Sequence, residues 1–145
     1  MESSQPYNRE LTQYGTARLP ARFLLILAAY LNLIRFDLYL AHQDFELLYN
    51  KVRAYPTCKR VMVTGSVEAI CSAVDMACIW YCKEVLCLQR SAASVYLLRK
   101  YGVSADLVIG AQQMPFKAHA WVEVEGRVVN DKEYIPEMYG ILTRC

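Results

Sequence analysis

The sequence predicts an α+β fold, because helical patterns precede a set of alternating strand patterns. The clearest helix begins at Cys87, and its apolar residues recur at helical spacing: Leu88, Ala92, Val95 and Leu98. Arg99 and Lys100 fill its last turn, and Gly102 stands where glycine commonly ends a helix. We therefore expect the Cys87 helix to pack on a small antiparallel sheet.

The sheet is predicted from a hairpin. In Ala118–Val124, apolar Ala120, Val122 and Val124 alternate with residues of the other face, which include His119. Glu125-Gly126 supplies a two-residue turn, and Arg127–Asp131 forms the returning strand. This register places residue 132 opposite His119, so Asp131 lies within one residue of that position, a slip that a bulge or another loop length absorbs.

A further strand, Ala105–Gly110, completes the predicted sheet, with Met114-Pro115 in the connection to the hairpin. We expect the last segment, Lys132–Cys145, to close over one end of the domain.

The chain before the Cys87 helix is predicted to be helical after a polar start. Residues 1–19 are expected to be poorly ordered or a docking arm. Residues 20–65 form an N-terminal helical segment, with Pro20 at a helix start, an apolar run at Phe23–Leu31 and a second helix over Leu38–Val52. Residues 66–145 form the core domain, compact with that segment, and open with a helix over Val67–Glu84 that Ser66 caps.

Composition narrows the class of protein. A net charge of +2 gives no electrostatic case for nucleic acid. Six irregularly spaced cysteines without a signal peptide indicate a reducing compartment, the cytoplasm, with most of the cysteines as free thiols. The Phe23–Leu31 run is about half of what a bilayer crossing needs. We expect a buried or partner-covered helix there and no transmembrane segment, with an interfacial membrane helix as the alternative.

Other polar residues receive structural interpretations. Cys71, Cys78 and Cys82 fall on one helical face, but no C-x-x-C pair accompanies them, so we expect packing thiols and no metal or cofactor. His42 is expected on a solvated helix face. Trp80 and Tyr81 are interpreted as core aromatics, with a place in the cleft beside Cys87 as the alternative.

Three residues suggest nucleophilic catalysis. A cysteine in the first turn of a helix meets the positive end of the helix dipole, which favours the reactive thiolate. His119 and Asp131 supply an imidazole and a carboxylate on neighbouring strands, the arrangement of a nucleophile, its base and an orienting group. Taken singly, Cys87 could be a buried thiol, His119 a satisfied strand histidine and Asp131 the start of a turn.

Five motifs then occur in order: C-L-Q-R-S at 87–91, L-L-R-K-Y-G at 97–102, A-D-L-V-I-G at 105–110, P-F-K-A-H-A-W-V-E-V at 115–124 and V-N-D at 129–131. Together they resemble the protease of lasso-peptide biosynthesis, a transglutaminase-like, papain-like cysteine peptidase. The resemblance covers about Ser66–Asp131. It implies that Cys87 is the nucleophile, His119 the general base and Asp131 its orienting group.

The resemblance also implies a substrate and partners. The substrate is a ribosomally made lasso precursor peptide, cut between leader and core so that a separate asparagine-synthetase-like cyclase closes the macrolactam. Nothing in the sequence resembles a leader-reading module, so the resemblance implies a separate leader-binding (RiPP recognition element) protein. We expect it to dock on the N-terminal helical segment around Phe23, Leu24, Leu27 and Tyr30.

Two other functions stay open at this point. One is acyl transfer by a transglutaminase-like enzyme, in which an amine replaces water; the other is a catalytically idle peptide-binding module.

The backbone N–H of Cys87 is the natural oxyanion donor. Gln89 lies too far into the helix to be a good second donor, and Gln112 and Gln113 are weaker candidates.

Overall fold

The computed structural model describes residues 19–59 and 67–145 and confirms the α+β class. Its elements in chain order are α1 (Leu19–Ala41), α2 (Phe45–Ala54), α3 (Val67–Ile79), α4 (Cys87–Lys100), β1 (Asp106–Gln113), β2 (Phe116–Val124), β3 (Arg127–Val128), α5 (Ile135–Met138) and β4 (Gly140–Arg144). The antiparallel sheet has the strand order β3-β2-β1-β4. Residues 1–18 and the expected cap at Ser66 lie outside the described residues, so the predicted domain boundaries stay predictions.

The first two helices divide at a different place from the predicted one. α1 continues to Ala41, and the predicted second helix over Leu38–Val52 is therefore wrong at its start. Gln43 has a left-handed backbone (φ 56) that ends α1, and the Asp44 side chain accepts a hydrogen bond from the Leu47 N–H to begin α2. His42 is exposed as expected, but it lies in this turn rather than on a helix face.

The third helix ends at Ile79, five residues before its predicted end at Glu84. Contacts with α1 replace further helical turns: the Tyr81 hydroxyl donates to Asp37 (3.1 Å), and Lys83 pairs with the same carboxylate (2.8 Å). The Tyr81 ring also lies 5.4 Å from that of Tyr30. Tertiary contacts therefore outweigh the local preference for helix in this segment.

The sheet confirms the predicted register and corrects its extent. Val124 pairs with Arg127 across the turn, where Glu125 and Gly126 both have positive φ. The returning strand is only Arg127–Val128, so the prediction of a strand to Asp131 is wrong. On the other side of β2, β1 pairs with it from Asp106↔Glu123 to Gln113↔Phe116, which makes both strands longer than predicted.

The C-terminal segment contains a strand, β4, that was not predicted from the sequence. After the short α5, β4 pairs with β1 and forms the outer edge of the sheet. The backbones of Leu107 and Cys145 exchange hydrogen bonds of 2.7 and 3.0 Å, which extends this pairing to the last residue. The segment expected to close over one end of the domain is therefore part of the sheet.

The core lies between the helices and one face of the sheet. Its helical side includes Leu33, Ile70 and Leu98, and its sheet side includes Leu107 and Val122, all fully buried. A smaller cluster of Val108, Trp121 and Ile135 covers the opposite face. Since side chains alternate along a strand, His119 lies on the Trp121 side of β2 and Ala120 on the helix side.

α1 is both a core helix and an exposed apolar surface. By length and composition alone, Ala21–Ala41 could cross a membrane, with a mean hydropathy of 1.7, so the apolar stretch is longer than predicted. In the structure, Ala29, Leu33 and Phe36 are buried in the core. The opposite side is exposed along its length, and we call it the α1 stripe: Phe23, Leu24, Leu27, Leu31, Ile34 and Leu38.

Candidate active site

Cys87 is the first residue of α4, as predicted, and its free thiol is half-buried. The residue before it, Leu86, is the N-cap and offers no side-chain hydrogen bond to the first turn. A serine or aspartate in that place typically stabilises a helix by about 1 kcal/mol. The backbone N–H groups around Cys87 are thus left without a capping side chain, which suits them to receive an oxyanion.

Gly102 ends the same helix in the predicted manner. It has a φ of 87, and the N–H groups of Gly102 and Val103 donate to carbonyls in the last turn of α4. Arg99 holds this end of α4 in the core, because its buried guanidinium donates to the carbonyl oxygens of Val52, Tyr55 and Ala105 at 2.7–3.0 Å.

His119 lies in β2 opposite Gly110 of β1. Its ring centroid is 6.3 Å from Trp121 and 5.3 Å from Tyr139, so two aromatic side chains limit its orientation. Gly110 permits this arrangement, because a Cβ there would come within 2.8 Å of the Trp121 ring. The absence of a side chain at Gly110 therefore makes room for the ring on which His119 packs.

Asp131 reaches the imidazole from the loop after β3. Its Oδ2 lies 2.8 Å from His119 Nε2, and its Oδ1 accepts from the Lys132 N–H at 2.8 Å. Burial by itself raises the pKa of the Asp131 carboxyl, but these hydrogen bonds and the charge of Arg90 outweigh it. The pKa is therefore held below its ordinary value of 3.8.

The His119–Asp131 hydrogen bond selects one imidazole tautomer. Because an ionised carboxylate only accepts, Nε2 carries the proton in neutral His119 and Nδ1 keeps its lone pair. The structure thus brings His119 and Asp131 into contact. Neither the Cys87 thiol nor His119 Nδ1 has a hydrogen-bond partner among the described residues.

The helix that begins at Cys87 packs on the strand that carries His119. One turn after Cys87, the Ser91 hydroxyl donates to the Ala120 carbonyl at 2.9 Å and accepts from Asn130 Nδ2 at 2.9 Å. The sequence reading assigned no role to Ser91 or Asn130. Their sequence signal is their place in two of the quoted motifs, with Ser91 four residues after Cys87 and Asn130 directly before Asp131.

The structure also tests the lesser candidates. Gln89 is fully buried and its side-chain amide donates to the Leu33 carbonyl (2.9 Å), so it binds α1 rather than facing a substrate. Gln112 and Gln113 line an open groove of about 510 Å³ with Met114 and Met138 at the end of the sheet.

The two aromatic residues after α3 differ in their surroundings. Trp80 is 73% exposed, so the core interpretation is wrong for it, whereas Tyr81 is half-buried against α1.

The remaining cysteines do not share one environment. Cys71 is buried, Cys78 is half-buried, and Cys82 is exposed beyond the end of α3, so the interpretation of all three as packing thiols is wrong for Cys82. Burial raises the pKa of Cys71 to about 11 and also raises that of Cys78. In the described parts of the chain, no three His, Cys, Asp or Glu side chains form a group able to hold a metal ion.

Comparison with known sequences gives the family. A model of the transglutaminase-like superfamily matches residues 31–144, which is most of the chain. The chain belongs to the transglutaminase-like superfamily. The match includes α4 and the whole sheet, so all three candidate residues lie within the transglutaminase-like domain. No solved structure matches the chain.

Part of this transglutaminase-like chain is similar in sequence to a curated protein. That curated protein is the Microcin J25-processing protein McjB of Escherichia coli, which is 47% identical over 56 residues. The alignment covers 39% of this chain and 27% of McjB, so it spans about a quarter of the relative's length.

Proposed function

We propose that this protein is a cysteine peptidase that removes the leader from a lasso precursor peptide, with Cys87 as nucleophile, His119 as general base and Asp131 as its orienting group. The observation that carries the proposal is the 2.8 Å hydrogen bond between His119 Nε2 and Asp131 Oδ2, with His119 on a strand that packs against the helix beginning at Cys87. The superfamily and the similarity to McjB support the same activity. The cytoplasmic location stays a prediction.

The proposed reaction follows from these groups. His119 Nδ1 takes the thiol proton, and the thiolate of Cys87 attacks the carbonyl at the leader–core junction. The oxyanion accepts from the uncapped N–H groups at the start of α4. His119 then protonates the departing core amine, and water releases the leader from the thioester. Throughout, Asp131 stabilises the imidazolium and keeps its Nδ1 toward the thiol.

The first experiment follows cleavage of a full-length precursor by mass spectrometry. Cys87→Ala and His119→Ala should each abolish cleavage while the fold persists, and their losses should not add because the groups act as one unit. Cys82→Ala is the matched control, since that thiol is exposed and outside the helix. Substantial turnover by Cys87→Ala or His119→Ala would refute the assignment.

The same assay distinguishes hydrolysis from acyl transfer. Acyl transfer is the second candidate reaction because the chain belongs to the transglutaminase-like superfamily. Both reactions pass through the thioester, and they differ in whether water or an amine attacks it. Adding a primary amine should leave the leader product as a free acid. A leader product carrying the amine would identify a transferase, and binding of precursor without any cleavage would identify a peptide-binding module.

The partner proposal concerns α1. We infer that a separate leader-binding protein docks on the surface around Phe23, Leu24, Leu27 and Tyr30. An apolar groove of about 530 Å³ lies there, formed between α1 and α3; its lining is Arg22, Phe23, Ile26, Leu27, Tyr30, Met76 and Trp80. The exposed Trp80 links this groove to the segment that leads to Cys87.

Docking there would bring the leader near the nucleophile. A tethered peptide reaches an effective concentration of about the millimolar range without any new contact in the cleft. The freed core amine would then pass to the asparagine-synthetase-like cyclase, which is part of the same proposal.

The docking test compares cleavage rates with and without the leader-binding protein. The isolated chain should act slowly, and the partner should raise its rate by orders of magnitude. Leu24→Asp and Leu27→Asp should reduce that rise and keep the slow rate, because both side chains are exposed on α1. Leu47→Asp on α2 is the matched control. Equal rates with and without the partner would contradict the docking proposal.

A further inference from the structure

A buried hydrogen-bond network joins three elements at the hydroxyl of Ser91. The hydroxyl donates to the Ala120 carbonyl of β2 (2.9 Å) and accepts from Asn130 Nδ2 (2.9 Å) in the loop after β3. The other end of the Asn130 amide, Oδ1, accepts from the Val122 N–H at 2.7 Å. Ser91 is 1% exposed and Asn130 is 6% exposed, so water does not compete for these bonds.

Each bonded group adjoins one of the three candidate residues. Ser91 follows Cys87 by four positions, so the two lie on one face of α4 about one turn apart. Ala120 is the next residue after His119, and Asn130 is the residue before Asp131. The network therefore connects the nucleophile's helix, the base's strand and the orienting group's loop through a single hydroxyl.

Asn130 also explains why the hairpin ends early. Val129 donates its N–H to the Val122 carbonyl, as the next pair of the β2–β3 ladder requires. In a regular antiparallel pair, the Val122 N–H would donate to the Val129 carbonyl. Here it donates to Oδ1 of the Asn130 side chain instead. The side-chain oxygen replaces a backbone acceptor, so the chain can leave the strand at this point and turn Asp131 toward His119.

Ser94 provides an internal comparison. It lies on α4, one turn beyond Ser91 by spacing, and is equally buried at 1% exposure. Its hydroxyl donates to the Arg90 carbonyl of its own helix at 3.0 Å. Both hydroxyls donate to a backbone carbonyl, but only that of Ser91 joins α4 to the residues beside His119 and Asp131.

We propose that Ser91 and Asn130 are positioning residues, which fix the first turn of α4 relative to the His119–Asp131 pair. The inference rests on the proposed cysteine peptidase function and adds to it two residues that do not touch substrate. Removing the hydrogen bonds of either residue should increase the distance between the Cys87 thiol and the His119 imidazole, while the peptide-binding surface stays in place. The loss should therefore fall on kcat, with little change in KM.

The experiment measures kcat and KM for precursor cleavage by Ser91→Ala, Asn130→Ala and the control Ser94→Ala. A displacement of about 1 Å at a reacting group costs roughly 100-fold in rate, which is the fall in kcat expected for Ser91→Ala. Ser91→Thr should restore much of it, because the hydroxyl returns. Near-ultraviolet circular dichroism of each variant checks that its tertiary structure persists.

The outcomes separate this proposal from the one on which it rests. If Cys87→Ala is inactive but Ser91→Ala loses no more kcat than Ser94→Ala, the positioning role fails and the peptidase stands. If Cys87→Ala still cleaves, the peptidase assignment itself fails. Should Ser91→Ala not fold, Asn130→Asp takes its place, since it keeps the acceptor for Val122 and removes the donor to Ser91. Unchanged kcat in that variant overturns the proposal, and a fall in kcat alone supports it.

Discussion

Replacing Asp131 by asparagine is the sharpest test of the orienting group. The aspartate uses its two oxygens for two donors, Oδ2 for His119 Nε2 and Oδ1 for the Lys132 N–H, each at 2.8 Å. Asparagine has only one oxygen. If it serves Lys132, the amide N–H₂ faces His119 Nε2 and favours the tautomer that carries its proton on Nδ1, so a smaller fraction of the imidazole can act as the base.

The size of the effect follows from the bond that is lost. A hydrogen bond with a charged partner contributes about 1.5–3 kcal/mol, so losing it predicts a fall in kcat of roughly 10- to 150-fold. This is milder than the loss in Cys87→Ala, because asparagine retains a polar contact. Asp106→Asn is the control, since its carboxylate lies on β1 and is 4.0 Å from Arg144.

The pH dependence of folding stability is a second, independent test of the Asp131→Asn variant. The pKa of Asp131 is lower in the folded chain than its ordinary value of 3.8, so the ionised carboxyl stabilises the fold fully above that pH. The contribution disappears as the pH falls through the folded pKa. The stability gap between the natural protein and Asp131→Asn, measured by urea unfolding, should close on acidification. A gap that does not change with pH, or a kcat no lower than in Asp106→Asn, would refute the orienting role.

Two further predictions concern packing and thiol chemistry. Gly110→Ala should cost about 1–3 kcal/mol in urea unfolding, because its Cβ would lie 2.8 Å from the Trp121 ring. Gly140→Ala, whose nearest contact is 3.5 Å, should cost less, and equal losses would contradict this explanation. At pH 8, a small alkylating reagent should label the exposed Cys82 before Cys71, whose pKa burial raises to about 11. Peptide mapping measures both rates, and equal labelling of the folded protein would contradict the burial argument.

The sequence predicted those features that local rules decide. The two-residue turn at Glu125-Gly126 fixes the register of the hairpin, because residues with positive φ are needed at both positions. Gly102 likewise marks the end of α4 through its left-handed conformation. Both signals depend on neighbouring residues alone, so they are visible without the fold.

Features decided by distant contacts were missed. α3 stops at Ile79 because Tyr81 and Lys83 both bind Asp37, a residue more than forty positions earlier. β4 forms because β1 offers it a free edge, which no pattern in Gly140–Arg144 reveals by itself.

The position of Asp131 combines both kinds of information. Its register relative to His119 was predicted to within one residue, since the hairpin turn is local. The departure of the chain from β3 depends on Asn130, whose side chain bonds to Val122 and Ser91. The sequence therefore indicated the pair of residues but not the side chain that brings them together.

The α1 stripe has a spacing that selects the shape of its partner. Leu24, Leu27, Leu31, Ile34 and Leu38 are separated by three, four, three and four residues, the pattern of the contact positions in a coiled coil. Such rows accept the side chains of a second helix that crosses at about 20°, whereas a strand presents its side chains with a period of two. The leader-binding protein proposed above is therefore expected to contribute a helix to this interface, lying nearly along α1.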